Sequence, residues 1–125
     1  MRNAERKKAL GEVFTPRALV LEMLRRVSKE TWSDPSKTFL DPTCGNGNFL
    51  VCVVTLKIAA GLSPLQALQT TFGVDIMQDN VDDCREAMLK HAEKASGQSR
   101  TDEWVRVVAK NVVCHDALTY DFEFT

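Results

Sequence analysis

The sequence predicts an α/β fold: a partial, three-stranded parallel sheet flanked by helices. Short apolar stretches with strand character alternate three times with longer stretches of helical period. Each short stretch ends in an aspartate, at Asp41, Asp75 and Asp116. A glycine-bearing turn, Gly45-Asn46-Gly47, separates the first strand from the helix after it. Strand and helix in alternation specify parallel strands joined by right-handed crossovers.

The elements follow in order. Thr15-Pro16 reads as an N-cap followed by proline in the first helical turn. Leu19, Val20, Met23, Leu24 and Val27 recur at helical spacing, which predicts a helix to about Lys29. Trp32 to Lys37 reads as a loop, with a turn at Asp34-Pro35. Thr38-Phe39-Leu40 is a short strand closed by Asp41, and Phe49 to Ala60 is a helix closed by Gly61. That helix is apolar on nearly all sides, as expected where a helix packs inside a core. Ser63-Pro64 starts a short helix through Gln69, and Thr71 to Asp75 is the second strand. Asp79 to Ala95 is helical, with Val81, Cys84, Met88 and Ala92 on one face. Ser96 to Arg100 is a polar linker. Thr101-Asp102-Glu103 resembles a helix start, so Trp104 to Lys110 reads as helix, with strand as the alternative. Asn111 to His115 is the third strand, ending at Asp116.

A chain of 125 residues, 44% of them hydrophobic, makes one domain with a sizeable core. Charged residues are 26% and mean hydropathy is −0.20, which excludes a disordered chain and a membrane protein. No apolar run nears the roughly 18 residues of a membrane span, and the polar N-terminus excludes a secretory signal. The expectation is a soluble, cytoplasmic domain.

The net charge of −1 hides an asymmetry: residues 1–30 carry eight Lys/Arg against four Glu, and the remainder eight against thirteen acidic residues. A basic segment can touch phosphates, but it reads first as a solvated helix face; the sum is too small for strong nucleic-acid binding by this chain alone. The cysteines, Cys44, Cys52, Cys84 and Cys114, form no Cys-x-x-Cys pair, so neither zinc nor a disulfide framework is expected. Cys52 and Cys84 read as buried small hydrophobes. His91 and His115 are isolated, and no metal role is expected of either.

Ligands of open α/β sheets bind at the carboxyl ends of the strands. Gly45 and Gly47 let backbone approach a ligand there and leave N–H groups at a helix start. No Lys-Ser/Thr follows them, which excludes a P-loop, and Leu50 stands where a dinucleotide fingerprint needs its third glycine. Asp75 suits a ribose diol, since one carboxylate can accept from two hydroxyls. Ile76 and Met77 could wall a base, and Asp116 could accept from an exocyclic amine. Together they describe a slot shaped for a nucleoside.

Residues 41–50, Asp-Pro-Thr-Cys-Gly-Asn-Gly-Asn-Phe-Leu, resemble the S-adenosylmethionine motif of N6-adenine DNA methyltransferases. Gly11-Glu12-Val13-Phe14-Thr15-Pro16 resembles the family's upstream motif, and its place before the glycine motif is the gamma-type order of type I and type II restriction-modification enzymes. Gly73-Val74-Asp75-Ile76 and His115-Asp116-Ala117-Leu118 resemble the next two motifs. The resemblance runs from Gly11 to about Phe124 and implies the Rossmann-like fold of methyltransferases that use S-adenosyl-L-methionine. It implies that Phe14, Thr15 and Pro16 line the methionine end of the cofactor. Asp41, Pro42, Thr43 and the Gly45–Gly47 backbone would hold the amino and carboxylate groups. Asp75 would take the ribose hydroxyls, Ile76 would lie on adenine, and Asp116 would accept the adenine amine beside Ala117 and Leu118.

The family's catalytic Asn/Asp-Pro-Pro-Tyr/Phe motif, which polarises and stacks on a flipped adenine, is absent. The four prolines are Pro16, Pro35, Pro42 and Pro64, and no two are adjacent. The chain is therefore expected to be the cofactor-binding portion of a DNA adenine methyltransferase, inactive alone, with DNA bound through the complete enzyme. The alternatives are a stand-alone module acting on a restriction-modification system and an unrelated adenine-nucleotide binder. In this fold the first strand lies between the second and the fourth. Without a fourth strand it becomes an edge that needs a partner: a second copy, a complementary methyltransferase half, or the tail Thr119 to Thr125.

Overall fold

A computed structural model describes residues 17–119 of the chain. The first helix, α1 (Arg17–Leu24), buries Val20 and Leu24 and leaves Leu19 and Met23 facing outward, with Val27 exposed beyond its end. It ends five residues before the expected Lys29. Beyond it the Val27 amide bonds to the Leu24 carbonyl, tightening the last turn. Ser28 then caps a new helix, α2 (Lys29–Ser33), its hydroxyl accepting from the Thr31 amide. The sequence placed Trp32 in a loop; it is instead a buried side chain of α2, with its ring 6.5 Å from that of Phe39. The expected turn at Asp34-Pro35 is present, with the Ser36 amide and hydroxyl both donating to Asp34 Oδ1.

Strand β1 (Phe39–Asp41) leads through the glycine turn into α3 (Asn48–Ala59). Leu50, Val51, Cys52, Val53 and Val54 are all buried, five in a row, because α3 packs against α1, α2, α4, α5 and the sheet at once. Each such aliphatic contributes about 1.5–3 kcal/mol. The helix α4 (Pro64–Gln69) carries the expected start as a full capping box, Ser63 and Gln66 bonding reciprocally. Strand β2 (Thr71–Asp75) follows, then α5 (Gln78–Ser96), whose Val81, Cys84, Met88 and Ala92 are fully buried as the periodicity predicts. Thr101 caps α6 (Asp102–Asn111), so this segment is helix and not strand, and β3 (Val112–Cys114) closes the order.

The three strands are parallel in the order β1-β2-β3, with Asp41 paired to Gly73 and Asp75 to Cys114. Both crossovers step the same way along the sheet, and right-handed crossovers that do so put their helices on one face. Accordingly α3 packs on α5. Phe39 stacks on Phe49 of α3 with ring centroids 5.3 Å apart. A Cβ on Gly73 would lie 2.7 Å from Leu50 Cδ1 and 3.0 Å from Cys44 Cβ, so a bare backbone at 73 is what lets β2 sit this close to α3.

At the opposite end of the strands, α3 carries a buried lysine. Lys57 Nζ donates to the Thr70 carbonyl (2.9 Å), Thr70 Oγ1 (2.8 Å), Thr71 Oγ1 (3.2 Å) and the Lys37 carbonyl (3.4 Å). Burial pushes its ammonium down to about 8. Asn111 acts similarly at the end of α4, its amide donating to the Leu68 and Gln69 carbonyls. Both side chains donate to backbone carbonyls at the C-terminal end of α4. No helix among the described residues is long and apolar enough to cross a membrane.

Candidate functional site

The carboxyl ends of β1, β2 and β3 lie side by side, and the chain leaves each of them in a turn. After β1, Thr43 donates its amide to Asp41 Oδ1 at 3.0 Å, and the Cys44 amide reaches across to the Val74 carbonyl at 2.8 Å. Gly47 has a φ of 94°, a left-handed conformation that L side chains rarely adopt. Its missing Cβ would also lie 3.1 Å from Cys84 Cα. Gly47 is thus required twice over: once by the turn and once by its contact with α5.

Asp75 is the hub of this turn. Its Oδ2 accepts the Gly45 amide at 2.9 Å, thirty residues away in sequence. Its Oδ1 accepts the Met77 amide at 2.9 Å and the Asn80 side-chain amide at 3.1 Å. Asp41, half-buried nearby, has its carboxyl held above the usual range by burial; hydrogen bonds from Thr43 oppose this and the Asp75 charge reinforces it. Two carboxylates facing one turn make the position favourable for a cation.

The third strand end is joined to the second by the His115 amide, which donates to the Asp75 carbonyl at 3.0 Å. Asp116 is exposed and opens a turn, its Oδ1 accepting the Leu118 amide at 2.9 Å. Two aliphatic side chains stand at these ends without packing: Ile76 is 63% exposed and Leu118 is 94% exposed. Ala117 is half-buried, and Pro42 and Thr43 are exposed beside Asp41. The stretches 41–48, 75–80 and 114–119 contain Asp41, Asp75, Asp79 and Asp116 but no lysine or arginine.

Beneath the turn lies a pair of thiols. Cys44 and Cys84 are buried, and the hydrogen bond between them, then burial, then the charges of Asp75 and Asp41, drive the Cys44 thiol far above its usual range. Buried, it packs against the bare backbone of Gly73. Cys52 is buried in α3 as expected.

Of the residues singled out from sequence, the structure brings Asp41, Gly45, Gly47 and Asp75 together at one turn, linked by His115 to the turn that Asp116 opens. Phe14, Thr15 and Pro16 lie outside the described residues. Sequence reasoning missed Asn80, which donates to Asp75 from the first turn of α5. The available signal was an amide five residues after the strand-ending aspartate, at a position where the helix turns inward. It also missed the Cys44–Cys84 contact, which no spacing reveals.

A family model described as N-6 DNA Methylase matches residues 1–116. No curated protein and no solved structure matches the chain. The family match spans the β1 turn, the β2 end and Asp116 together, over nearly the whole length of the chain. The chain belongs to the N-6 DNA methylase family.

Proposed function

We propose that the chain is the S-adenosyl-L-methionine-binding portion of a gamma-type adenine-N6 DNA methyltransferase. The observation that carries this reading is the charge at the strand ends: among the described residues, the stretches 41–48, 75–80 and 114–119 hold Asp41, Asp75, Asp79 and Asp116 and no lysine or arginine. A polyphosphate cofactor would meet repulsion there, whereas an amino group and a sulfonium are cations that such a slot attracts. The donor set therefore fits S-adenosylmethionine. When bound, that cofactor supplies an electrophilic methyl group.

In this reading Asp41 and the 45–47 backbone hold the amino-acid end, with Pro42 and Thr43 beside them. Phe14, Thr15 and Pro16 close that end. Asp75 takes ribose hydroxyl, Ile76 and Leu118 clasp the adenine with Ala117 between them, and Asp116 accepts from its amine. The exposure of Ile76 and Leu118 supports this, since unpacked aliphatics at strand ends are suited to cover a flat ring. The 125 residues hold no Pro-Pro pair, so a flipped adenine has no receptor among them, and methyl transfer to DNA by these residues alone is not expected. DNA is engaged through the complete enzyme. The side of β1 that no strand among the described residues pairs takes a further strand, from a second copy, from a complementary methyltransferase half or from the tail Thr119 to Thr125, most of which lies outside the described residues. A competition titration tests the cofactor assignment: S-adenosylhomocysteine should bind, and ATP and NAD should not displace it. Displacement by ATP would put the slot in the nucleotide-binding class instead.

A further inference from the structure

Asp75 does not offer a bare carboxylate to the slot. A carboxylate has about four lone-pair positions, two on each oxygen. Oδ1 is filled by the Met77 amide at 2.9 Å and Asn80 Nδ2 at 3.1 Å, while Oδ2 holds the Gly45 amide at 2.9 Å. One position remains, on Oδ2. Asn80 is fully buried at the start of α5, so packing and not solvent decides where its amide points. A buried amide donating into Oδ1 holds the carboxylate in one rotamer, with Oδ2 turned toward the glycine turn.

We propose that Asn80 is a positioning residue that latches Asp75 to Gly45 and commits it to a single ligand hydroxyl. This rests on the ribose reading of Asp75 given above and narrows it. A diol gripped by both carboxylate oxygens would need a second vacant position, and the latch occupies it. The other hydroxyl is left to water or to other groups. Asn80 touches no ligand itself; it acts through Asp75.

The test uses the full chain and has a ligand-free arm and a ligand arm. Without ligand, hydrogen exchange at the Gly45 amide reads the latch directly. Asn80→Leu should speed it about tenfold or more while amides in the middle of α3 keep their protection. Asn80→Ser keeps a polar group at the buried position but falls short of Asp75, and should do the same if Asn80→Leu folds poorly. With ligand, wild-type affinity is compared for S-adenosylhomocysteine and its 2′-deoxy and 3′-deoxy analogues. Loss of one hydroxyl should cost about tenfold and loss of the other less than about threefold. Asn80→Leu should weaken binding of the parent ligand but not of the analogue lacking the hydroxyl that Asp75 accepts, a selectivity that a merely structural residue would not show. Unchanged Gly45 exchange in both variants, or equal tenfold losses for the two analogues, overturns the proposal. If no chain binds S-adenosylhomocysteine yet Gly45 exchange rises in the variants, the latch is supported and the cofactor reading is what fails.

Discussion

Lys57 shows how a single charged residue is tolerated inside this fold. Its ammonium sits among four oxygens at the start of β1 and β2, close to the C-terminus of α3, where a cation is favoured. Burial nevertheless lowers its titration to about 8, from an ordinary lysine value of 10.5. The unfolded chain therefore holds the proton more tightly between those values, and this residue makes stability rise as pH climbs from 8 to 10.5, with no further change from it below 8. Denaturant unfolding of the wild type and Lys57→Met should show a difference that shifts in favour of the wild type over that window. A difference flat in pH contradicts this account. Gly47 makes a sharper prediction. Gly47→Ala combines a left-handed φ of 94° with a backbone atom 3.1 Å from the added methyl. It should cost about 1–3 kcal/mol in denaturant unfolding. Nothing in a single sequence separates Gly47 from an ordinary turn glycine, because the atoms that exclude a side chain there belong to Cys84, thirty-seven residues further on.

Most elements were legible because their signals are local. Ser63-Pro64, Thr101 and the glycine turn mark starts that the structure places within a residue or two, and the apolar period of α5 identifies its buried face. The failures lie at α1 and α2, where an apolar spacing continues past the point at which the helix ends. There Ser28 captures the chain for a new helix, and Trp32 is drawn into the core by Phe39, a tertiary contact. The site divides the same way. Strand-ending aspartates could be read from sequence, while the donors that fill Asp75 come both from the β1 turn thirty residues earlier and from Met77 and Asn80 just beyond it. Arg100 offers an element-scale test. Its guanidinium bonds both oxygens of Glu86 at 2.8 Å and one of Glu93 at 2.8 Å, and its amide bonds the other, fastening the start of α6 to α5. These hydrogen bonds hold both carboxyls below their usual range. Their stabilisation is present above the ordinary glutamate range and is lost as pH falls through the lowered folded values. Arg100→Ala should lower the melting temperature modestly at pH 7, with a deficit that shrinks toward pH 3; a deficit independent of pH would place its origin elsewhere.

At the scale of the molecule, the sheet formed by the described residues has three strands with β1 at one edge, and Leu40 in that strand is 41% exposed. An aliphatic on an edge strand is an invitation to pairing. The chain should self-associate with concentration, and Leu40→Lys should return it to monomer in light scattering; a wild-type monomer across the accessible range would leave the edge to a complementary half. The family assignment and the acidic slot meet at the three strand ends, and the central claim is that these hold S-adenosylmethionine. Calorimetric titration of the full chain with S-adenosylhomocysteine tests it most directly. The account predicts one site per chain, weakened more than about tenfold by Asp75→Ala; no heat of binding in the folded wild type, or equal affinity in Asp75→Ala, would contradict it.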